Sequence, residues 1–168
     1  MKTLTVVRHA KSSWGDVSLD DHDRPLNRRG QRVAPLMGDL LASRTGAPDI
    51  ILSSTALRAR TTAGIIAEKL GYPDADIVDE GQIYLASTRR LAQLLREVDE
   101  SHRSVMIVGH VPGVHELTNG LCRDADIAHF PTCAISLIEL DIDYWGEIDR
   151  DTGKLTDFLV PKELLPNA

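Results

Sequence analysis

The stretch that decides the fold reads Leu4-Thr5-Val6-Val7-Arg8-His9-Ala10-Lys11, an apolar and β-branched run that stops at a cation and an imidazole. The apolar part is too short for a helix and is typical of a buried β-strand, which we place at residues 3–7. In an open parallel sheet, Arg8 and His9 then lie at the carboxyl edge, where such sheets bind ligands. The run therefore predicts a strand and a site at its end.

Two further segments bring polar side chains to the same edge. Residues 104–110 are a second buried strand that runs directly into a histidine. A third strand is predicted at residues 49–52 and is followed by a helix that carries Arg58 and Arg60. These arginines lie about 200° apart around a helix, so one of them faces the pocket, and we assign Arg58 because it is nearer the strand end. The residues expected to converge are Arg8, His9, Arg58 and His110.

Helices alternate with these strands along most of the chain. Three of them are preceded by residues that commonly cap a helix, namely Asn27, Ser53-Ser54-Thr55 and Ser87, and Pro112 opens the fourth. Pro35 conflicts with the first helix, because an interior proline removes a hydrogen bond and clashes with the preceding turn. Either the helix is kinked at Pro35 or a new helix begins there, and the sequence leaves both possibilities open.

The end of the chain changes character. Residues 134–140 and 155–160 predict two strands joined through Asp151-Thr152-Gly153, which is a hairpin signal. Strand–helix alternation followed by a hairpin predicts an α/β fold with three layers, α/β/α. Its sheet is mostly parallel and carries an antiparallel edge hairpin. We expect one domain at residues 1–168.

Composition excludes several classes of protein. The chain has 168 residues, is 42% hydrophobic and 26% charged, and carries a formal net charge of −6. The negative charge argues against general binding to nucleic acid or to an anionic membrane. Cys122 and Cys133 lack the spacing of metal ligands, so we expect free thiols. The absence of a signal peptide or a long apolar run favours the cytoplasm.

The converging residues suit a phosphoryl group. Guanidinium groups match phosphate oxygens in a bidentate manner, and their charge is permanent. A neutral imidazole among them is an available nucleophile if its other ring nitrogen donates to a carbonyl or a hydroxyl. A metal site built from His9 and His110 is the alternative, which the two flanking arginines disfavour.

Four segments resemble the histidine phosphatase superfamily, which includes phosphoglycerate mutases and acid phosphatases. They are Val7–Ala10, Arg8–Trp14 with Asp23–Gly30, Leu57–Ala63 and Val108–Gly113. The second of these is similar to the SixA-type phosphohistidine phosphatase branch in particular. The resemblance runs in the family's order through the first two thirds of the chain, and it implies a phosphoglycerate mutase-like fold.

The resemblance also implies roles for individual residues. His9 corresponds to the phosphorylated nucleophile, and the phosphate clamp consists of Arg8, Arg58 and His110. Ser12 falls where many members place a hydroxyl near the phosphate. Lys11 and Val111 lie within these motifs, and we expect them to contact the substrate; for Lys11 the alternative is a side chain that points to solvent.

A proton donor is harder to assign. Larger members insert a lid with an acidic donor where this chain is short, between Leu70 and Leu91, and Glu80 is the possible donor there. The competing acids of the first loop are Asp16, Asp20, Asp21 and Asp23. A weak or missing acid suits a good leaving group, such as the imidazole of phosphohistidine, better than an alkoxide.

The sequence therefore predicts a SixA-like phosphohistidine phosphatase that needs no metal or other cofactor and works through a phospho-His9 intermediate. The expected partner is a phosphorylated protein, such as a histidine phosphotransfer domain. The alternatives are a phosphatase of small phosphate esters and a phosphoryl-binding module without catalysis.

Overall fold

One six-stranded sheet organises the computed structural model, which describes residues 1–165. The strand order is β3-β2-β4-β1-β5-β6; the first four strands are parallel, β5 runs antiparallel to them, and β6 pairs antiparallel with β5 to form an edge hairpin. The strands are β1 Lys2–Arg8, β2 Ile50–Ser53, β3 Val78–Asp79, β4 Ser104–Gly109, β5 Ile135–Leu140 and β6 Gly153–Leu159. The predicted fold class is confirmed.

Helices cover both faces of this sheet. They are α1 Arg28–Ala42, α2 Leu57–Leu70, α3 Thr88–Arg96, α4 Gly113–Leu121 and the short α5 Pro161–Leu164. Single 3₁₀ turns lie at Asp21–Asp23, Asp74–Asp76, Gly81–Ile83 and Trp145–Glu147. No helix in the described range is long and apolar enough to cross a membrane. The predicted domain at residues 1–168 includes residues 166–168, which lie outside the described residues.

The pleat of the central strands divides the core into two clusters. Val6 and Ile107 face a cluster with α3 and α4, whereas Val7 and Val108 face a cluster with α1 and α2. All four side chains are fully buried. Burial on both faces explains why these strands read as continuous apolar runs rather than as alternating patterns.

Helix α1 settles the alternative left open at Pro35. It runs unbroken from Arg28 to Ala42 with Pro35 in its interior, so no second helix begins there. The side chain of Asn27 accepts a hydrogen bond from the Gly30 N–H and caps the helix as predicted. The buried face of α1 packs in the second cluster, and this burial offsets the free energy that the interior proline costs the helix.

Two local predictions need correction. Helix α2 begins at Leu57 after Ala56, and no side chain of Ser53-Ser54-Thr55 caps it, because Ser54 lies within hydrogen-bonding distance of a histidine instead. The Asp151-Thr152-Gly153 signal also marks only the end of the link between β5 and β6, because β6 begins at Gly153. This link spans residues 141–152, because the chain folds back to bury Trp145 completely in the first cluster.

Gly30 provides a test of how α1 packs against the segment that follows β1. A methyl group added there would lie 2.2 Å from the carbonyl oxygen of Lys11, so the backbone would have to move. We expect Gly30→Ala to lower the free energy of unfolding by about 1–3 kcal/mol in urea denaturation. The control is Gly120→Ala in α4, where nothing lies within 4 Å and where we expect no loss. Equal stability of the two variants would contradict this account.

Candidate active site

The carboxyl ends of β1, β2 and β4 meet at one edge of the sheet. Arg8 pairs with Gly109 in the parallel register of β1 and β4, so the residues that follow, His9 and His110, emerge side by side. Their ring centroids are 5.1 Å apart. Both side chains are buried, with exposures of 7% and 8%. The structure therefore brings together the two histidines on which the sequence prediction depended.

His9 is held in one tautomer. Its Nδ1 lies 2.7 Å from the carbonyl oxygen of Ala10, which can only accept, so Nδ1 carries the proton and donates it. Nε2 then has a free lone pair. It has no hydrogen-bond partner in residues 1–165 and is not among the fully buried unpartnered atoms, so it reaches the pocket surface.

His110 is held through its other ring nitrogen, Nε2, by Ser54. Its Nε2 lies 2.8 Å from Ser54 Oγ, which also accepts a hydrogen bond from the Ala56 N–H. The Ser54 hydroxyl has a proton to donate to Nε2, and in the tautomer that accepts this proton the ring N–H of His110 is on Nδ1. This Nδ1 is buried and has no partner within residues 1–165. In that tautomer His110 has an unused donor at Nδ1.

Two arginines complete the group. Arg8 donates from Nη1 to the Phe130 carbonyl at 2.9 Å, and Arg58 is 4% exposed and donates from Nη2 to Asp21 Oδ2 at 3.0 Å. In each guanidinium the Nε is buried without a partner in the described chain. Arg60 turns away and forms ion pairs with Asp74 and Asp79, so the choice of Arg58 agrees with the structure.

The loop after His9 folds back over the site through Asp21. Its carboxylate accepts hydrogen bonds from the Tyr84 hydroxyl and from Arg24 Nε as well as from Arg58. The bond from Tyr84, followed by those from Arg24 and Arg58, holds the pKa of Asp21 well below its usual range. The Tyr84 ring stands edge-on to His110, with centroids 5.5 Å apart. Asp21 and Tyr84 thus lie against Arg58 and His110, beside the two histidines.

Burial sets the charge of both imidazoles. It lowers the pKa of His9 to about 4, and the nearby positive charges of Arg58 and Arg8 act in the same direction. Burial and then the proximity of His9 lower the pKa of His110 to about 3. Both rings are therefore neutral near pH 7, as a nucleophilic imidazole must be.

The other predicted contact residues lie in varied settings. The Ser12 hydroxyl accepts a hydrogen bond from Arg24 Nη1 at 2.7 Å, which ties it to the loop over the site. Lys11 is exposed and borders a different cavity. Val111 is half-buried against the first core cluster. Contact of these three residues with a substrate stays a prediction.

Among the candidate acids, Asp21 is the one that the structure places against Arg58. The Glu80 side chain accepts a hydrogen bond from the Gln82 N–H and caps a 3₁₀ turn, and Asp16 accepts hydrogen bonds from Ser18. Asp20 and Asp23 are exposed. Proton donation by Glu80 stays a prediction.

Sequence reasoning missed three residues that organise the site: Ser54, Tyr84 and Thr62. Thr62 accepts from the Ala10 N–H at 3.0 Å and donates to the Arg58 carbonyl at 2.7 Å, so it joins the nucleophile segment to α2. Ser54 had a usable signal, because it follows a buried strand as the two histidines do. Tyr84 had none, because its position in a turn reveals nothing about its neighbours.

Comparison with known proteins places the chain in a family. The model of the histidine phosphatase superfamily (branch 1) matches residues 4–81. The phosphohistidine phosphatase SixA of Escherichia coli is 31% identical over 144 residues, which cover 81% of this chain and 84% of that protein. The chain belongs to the histidine phosphatase superfamily. An uncharacterized protein of Mycobacterium tuberculosis is 32% identical over 168 residues, covering 93% of this chain and all of that one.

Solved structures agree and indicate the SixA-type branch of the superfamily. The putative phosphohistidine phosphatase SixA from Agrobacterium tumefaciens has a TM-score of 0.80 at 32% identity, covering 95% of this chain and 98% of that chain. A protein histidine phosphatase SixA complexed with tungstate has the same fold, with a TM-score of 0.81 at 23% identity, covering 96% and 99% of the two chains. Among residues 1–165 of this histidine phosphatase, no group of three or more His, Cys, Asp or Glu side chains is arranged to hold a metal ion.

The two neutral histidines predict how stability depends on pH. Their pKa values are lower in the folded protein, at about 4 and about 3, than the ordinary value of 6.5. The unfolded chain therefore binds more protons between pH 4 and 6.5, so the free energy of unfolding falls as the pH falls through this window. We expect a loss of roughly 2 kcal/mol per imidazole between pH 7 and pH 5.

Urea denaturation at pH 7 and pH 5 measures this loss. The double variant His9→Gln/His110→Gln should show a shallower pH dependence, whereas His102→Gln, which precedes β4 at the opposite edge of the sheet, should behave like the parent. An unchanged slope in the double variant would show that other groups cause the dependence.

Proposed function

We propose that this chain is a metal-independent phosphohistidine phosphatase that dephosphorylates a histidine-phosphorylated protein through a covalent phospho-His9 intermediate. The observation that carries the proposal is the state of His9, whose Nδ1 donates to the Ala10 carbonyl while Nε2 keeps an accessible lone pair. A neutral imidazole in this tautomer is ready to attack phosphorus.

Unpartnered donors support the binding of a tetrahedral anion beside that nitrogen. Three buried side-chain atoms lack a hydrogen-bond partner in residues 1–165: Arg8 Nε, Arg58 Nε and His110 Nδ1. Leaving a buried donor unpaired costs about 1–3 kcal/mol, so buried polar groups are seldom left without a partner unless a ligand supplies it. All three belong to the residues expected to clamp the phosphoryl group, and phosphate oxygens would satisfy them.

The proposed reaction has two displacements at phosphorus. His9 Nε2 attacks, a new N–P bond forms, and the bond from phosphorus to the substrate's imidazole nitrogen breaks, leaving that histidine on its protein. A water molecule then attacks phospho-His9 and breaks the N–P bond, which releases inorganic phosphate and restores the imidazole. Arg8, Arg58 and His110 stabilise the charge on the equatorial oxygens in both steps.

The state of the carboxylates favours a good leaving group. Asp21 stays ionised because of its hydrogen bonds with Tyr84, Arg24 and Arg58, so it is a poor proton donor. The Glu80 side chain is engaged in capping a turn. An imidazole leaves phosphorus more readily than an alkoxide and needs less help from an acid, which supports phosphohistidine as the substrate.

Exposed apolar side chains beside the site support a protein as the carrier of that histidine. Trp14, Val17 and Leu19 are 75%, 98% and 38% exposed, and all three lie on the loop that carries Asp21 to Arg58. Three exposed apolar side chains within six residues of one loop offer apolar surface to a protein partner. The relatives named above as SixA, described as phosphohistidine phosphatases, are consistent with such a substrate.

Replacement of His9 tests the nucleophile. We expect His9→Asn to lose at least about 10³-fold in turnover and to take up no label from a phosphorylated histidine phosphotransfer protein. The parent protein, quenched during turnover, should carry acid-labile phosphate on His9. His102→Asn is the matched control and should keep full activity, and the parent should stay active in excess chelator. Turnover by His9→Asn at a rate close to that of the parent would refute the covalent mechanism.

The substrate class needs a separate measurement. We expect kcat/KM for the phosphorylated phosphotransfer protein to exceed that for a panel of small phosphate esters by at least about 10²-fold. Trp14→Ala/Val17→Ser should lower the first value and leave the second unchanged, since both side chains lie outside the phosphoryl pocket. Equal loss on both substrates, or faster turnover of an ester, would favour the small-molecule phosphatase. Binding without turnover of any substrate would favour the phosphoryl-binding module.

Asp21 predicts how tightly the pocket holds phosphate. Its carboxylate shares Arg58 with any incoming dianion and repels that dianion. We expect Asp21→Asn to lower the inhibition constant of inorganic phosphate about 3- to 10-fold, which corresponds to roughly 0.6–1.4 kcal/mol of repulsion. Tyr84→Phe keeps the carboxylate and should change the constant far less. Weaker inhibition in Asp21→Asn would mean that Asp21 serves mainly to orient Arg58.

A further inference from the structure

A second cavity lies beside the phosphoryl pocket and is not part of it. It has a volume of about 430 Å³ and lies between the start of α1, the chain before β5 and the end of β6 with α5. None of Arg8, His9, Arg58 or His110 lines it. Small-molecule sites in proteins have volumes of about 300–1,000 Å³, so the cavity can enclose a small organic ligand.

The floor of this cavity is apolar. Val33 of α1, Cys133, Val160 and Pro161 line it and are buried, and the half-buried ring of Phe158 joins them. These residues come from both the hairpin and the helical layer, so the floor does not depend on one mobile segment. An apolar group placed there loses contact with water on several sides.

The rim has the opposite character. Lys11, Arg29 and Lys162 line the cavity and are exposed, with Glu163 as the single carboxylate among its lining residues. None of the three cations forms an ion pair among the described residues. The chain as a whole carries a net charge of −6, so this rim is a local reversal of sign. Such a reversal attracts anions.

We propose that this cavity is a second binding site, for an amphipathic organic anion with one negative head group and an apolar body. The exposed cations would take the carboxylate, phosphate or sulfonate head, and the apolar floor would take the body. An inorganic anion lacks the body and would bind weakly. A neutral apolar molecule would also bind weakly, because it has no negative head group for the exposed cations.

The proposed site and the phosphoryl pocket lie on opposite sides of the same segment of main chain, and they are separate spaces. The Cys133 N–H donates to the carbonyl oxygens of Arg8 and His9 at 3.1 and 3.0 Å, and Arg8 in turn donates to the Phe130 carbonyl. The main chain around Cys133 and the segment after β1 therefore separate the two spaces. Ligands of the two sites are expected to bind together rather than to compete.

The probe for this site is 8-anilinonaphthalene-1-sulfonate, which combines a sulfonate with an apolar ring system and becomes fluorescent when buried. We expect the folded parent protein to bind it with saturable one-to-one stoichiometry at pH 7. Arg29→Gln/Lys162→Gln should weaken binding at least about 10-fold. The matched control Arg28→Gln/Arg32→Gln removes two exposed cations of α1 that do not line the cavity, and it should bind within about 2-fold of the parent.

Competitors separate the head from the body and one site from the other. Octanoate should displace the probe at concentrations at which acetate does not, and inorganic phosphate sufficient to inhibit phosphatase activity should leave the probe bound. Absence of one-to-one binding, equal loss in both double variants, or displacement by phosphate would each overturn the proposal. Thermal unfolding of every variant confirms that the measurements report on folded protein.

Discussion

The parallel pairing of β1 with β4 is the constraint on which the site depends. In this register Val7 lies beside Val108 and Arg8 beside Gly109, so both strands end at the same height and each delivers a histidine. A shift of one residue would turn each buried side chain of β1 to the opposite core cluster. The same hydrophobic pattern that fixes the sheet therefore also fixes the distance between the two imidazoles.

Electrostatics then determines what this edge can do. The structure keeps two imidazoles uncharged by burying them beside two arginines, and it places a carboxylate against one of those arginines. The result is a compact positive pocket in a protein whose overall charge is negative. Asp21 bonds to Arg58 and is itself held by the Tyr84 hydroxyl, so these two residues fix the position of the Arg58 guanidinium.

The sequence predicted the parts of the fold that depend on local pattern. Short apolar runs that end in Arg-His or Gly-His placed β1, β4 and the two histidines correctly, because strands buried on both faces leave little ambiguity. The sequence did not predict which polar side chains that are distant along the chain form hydrogen bonds with each other. Nothing local shows that Ser54 contacts His110 rather than capping α2, or that Asp21, among several neighbouring acids, reaches Arg58. Pro35 was undecidable for a related reason, because tertiary burial of α1 outweighs a local penalty.

The two tryptophans of this chain lie in contrasting surroundings, so their intrinsic fluorescence reports on two different parts of the structure. Trp14 is 75% exposed and lies against the Arg24 guanidinium, 3.5 Å from its ring centroid, on the loop that carries Asp21. Trp145 is fully buried and donates from its indole nitrogen to the His102 carbonyl. Emission from the exposed indole reports on the surroundings of this loop, whereas emission from the buried indole shifts to the red when the core opens. The single variants Trp14→Phe and Trp145→Phe thus give one signal from the loop and one from the core without an added dye.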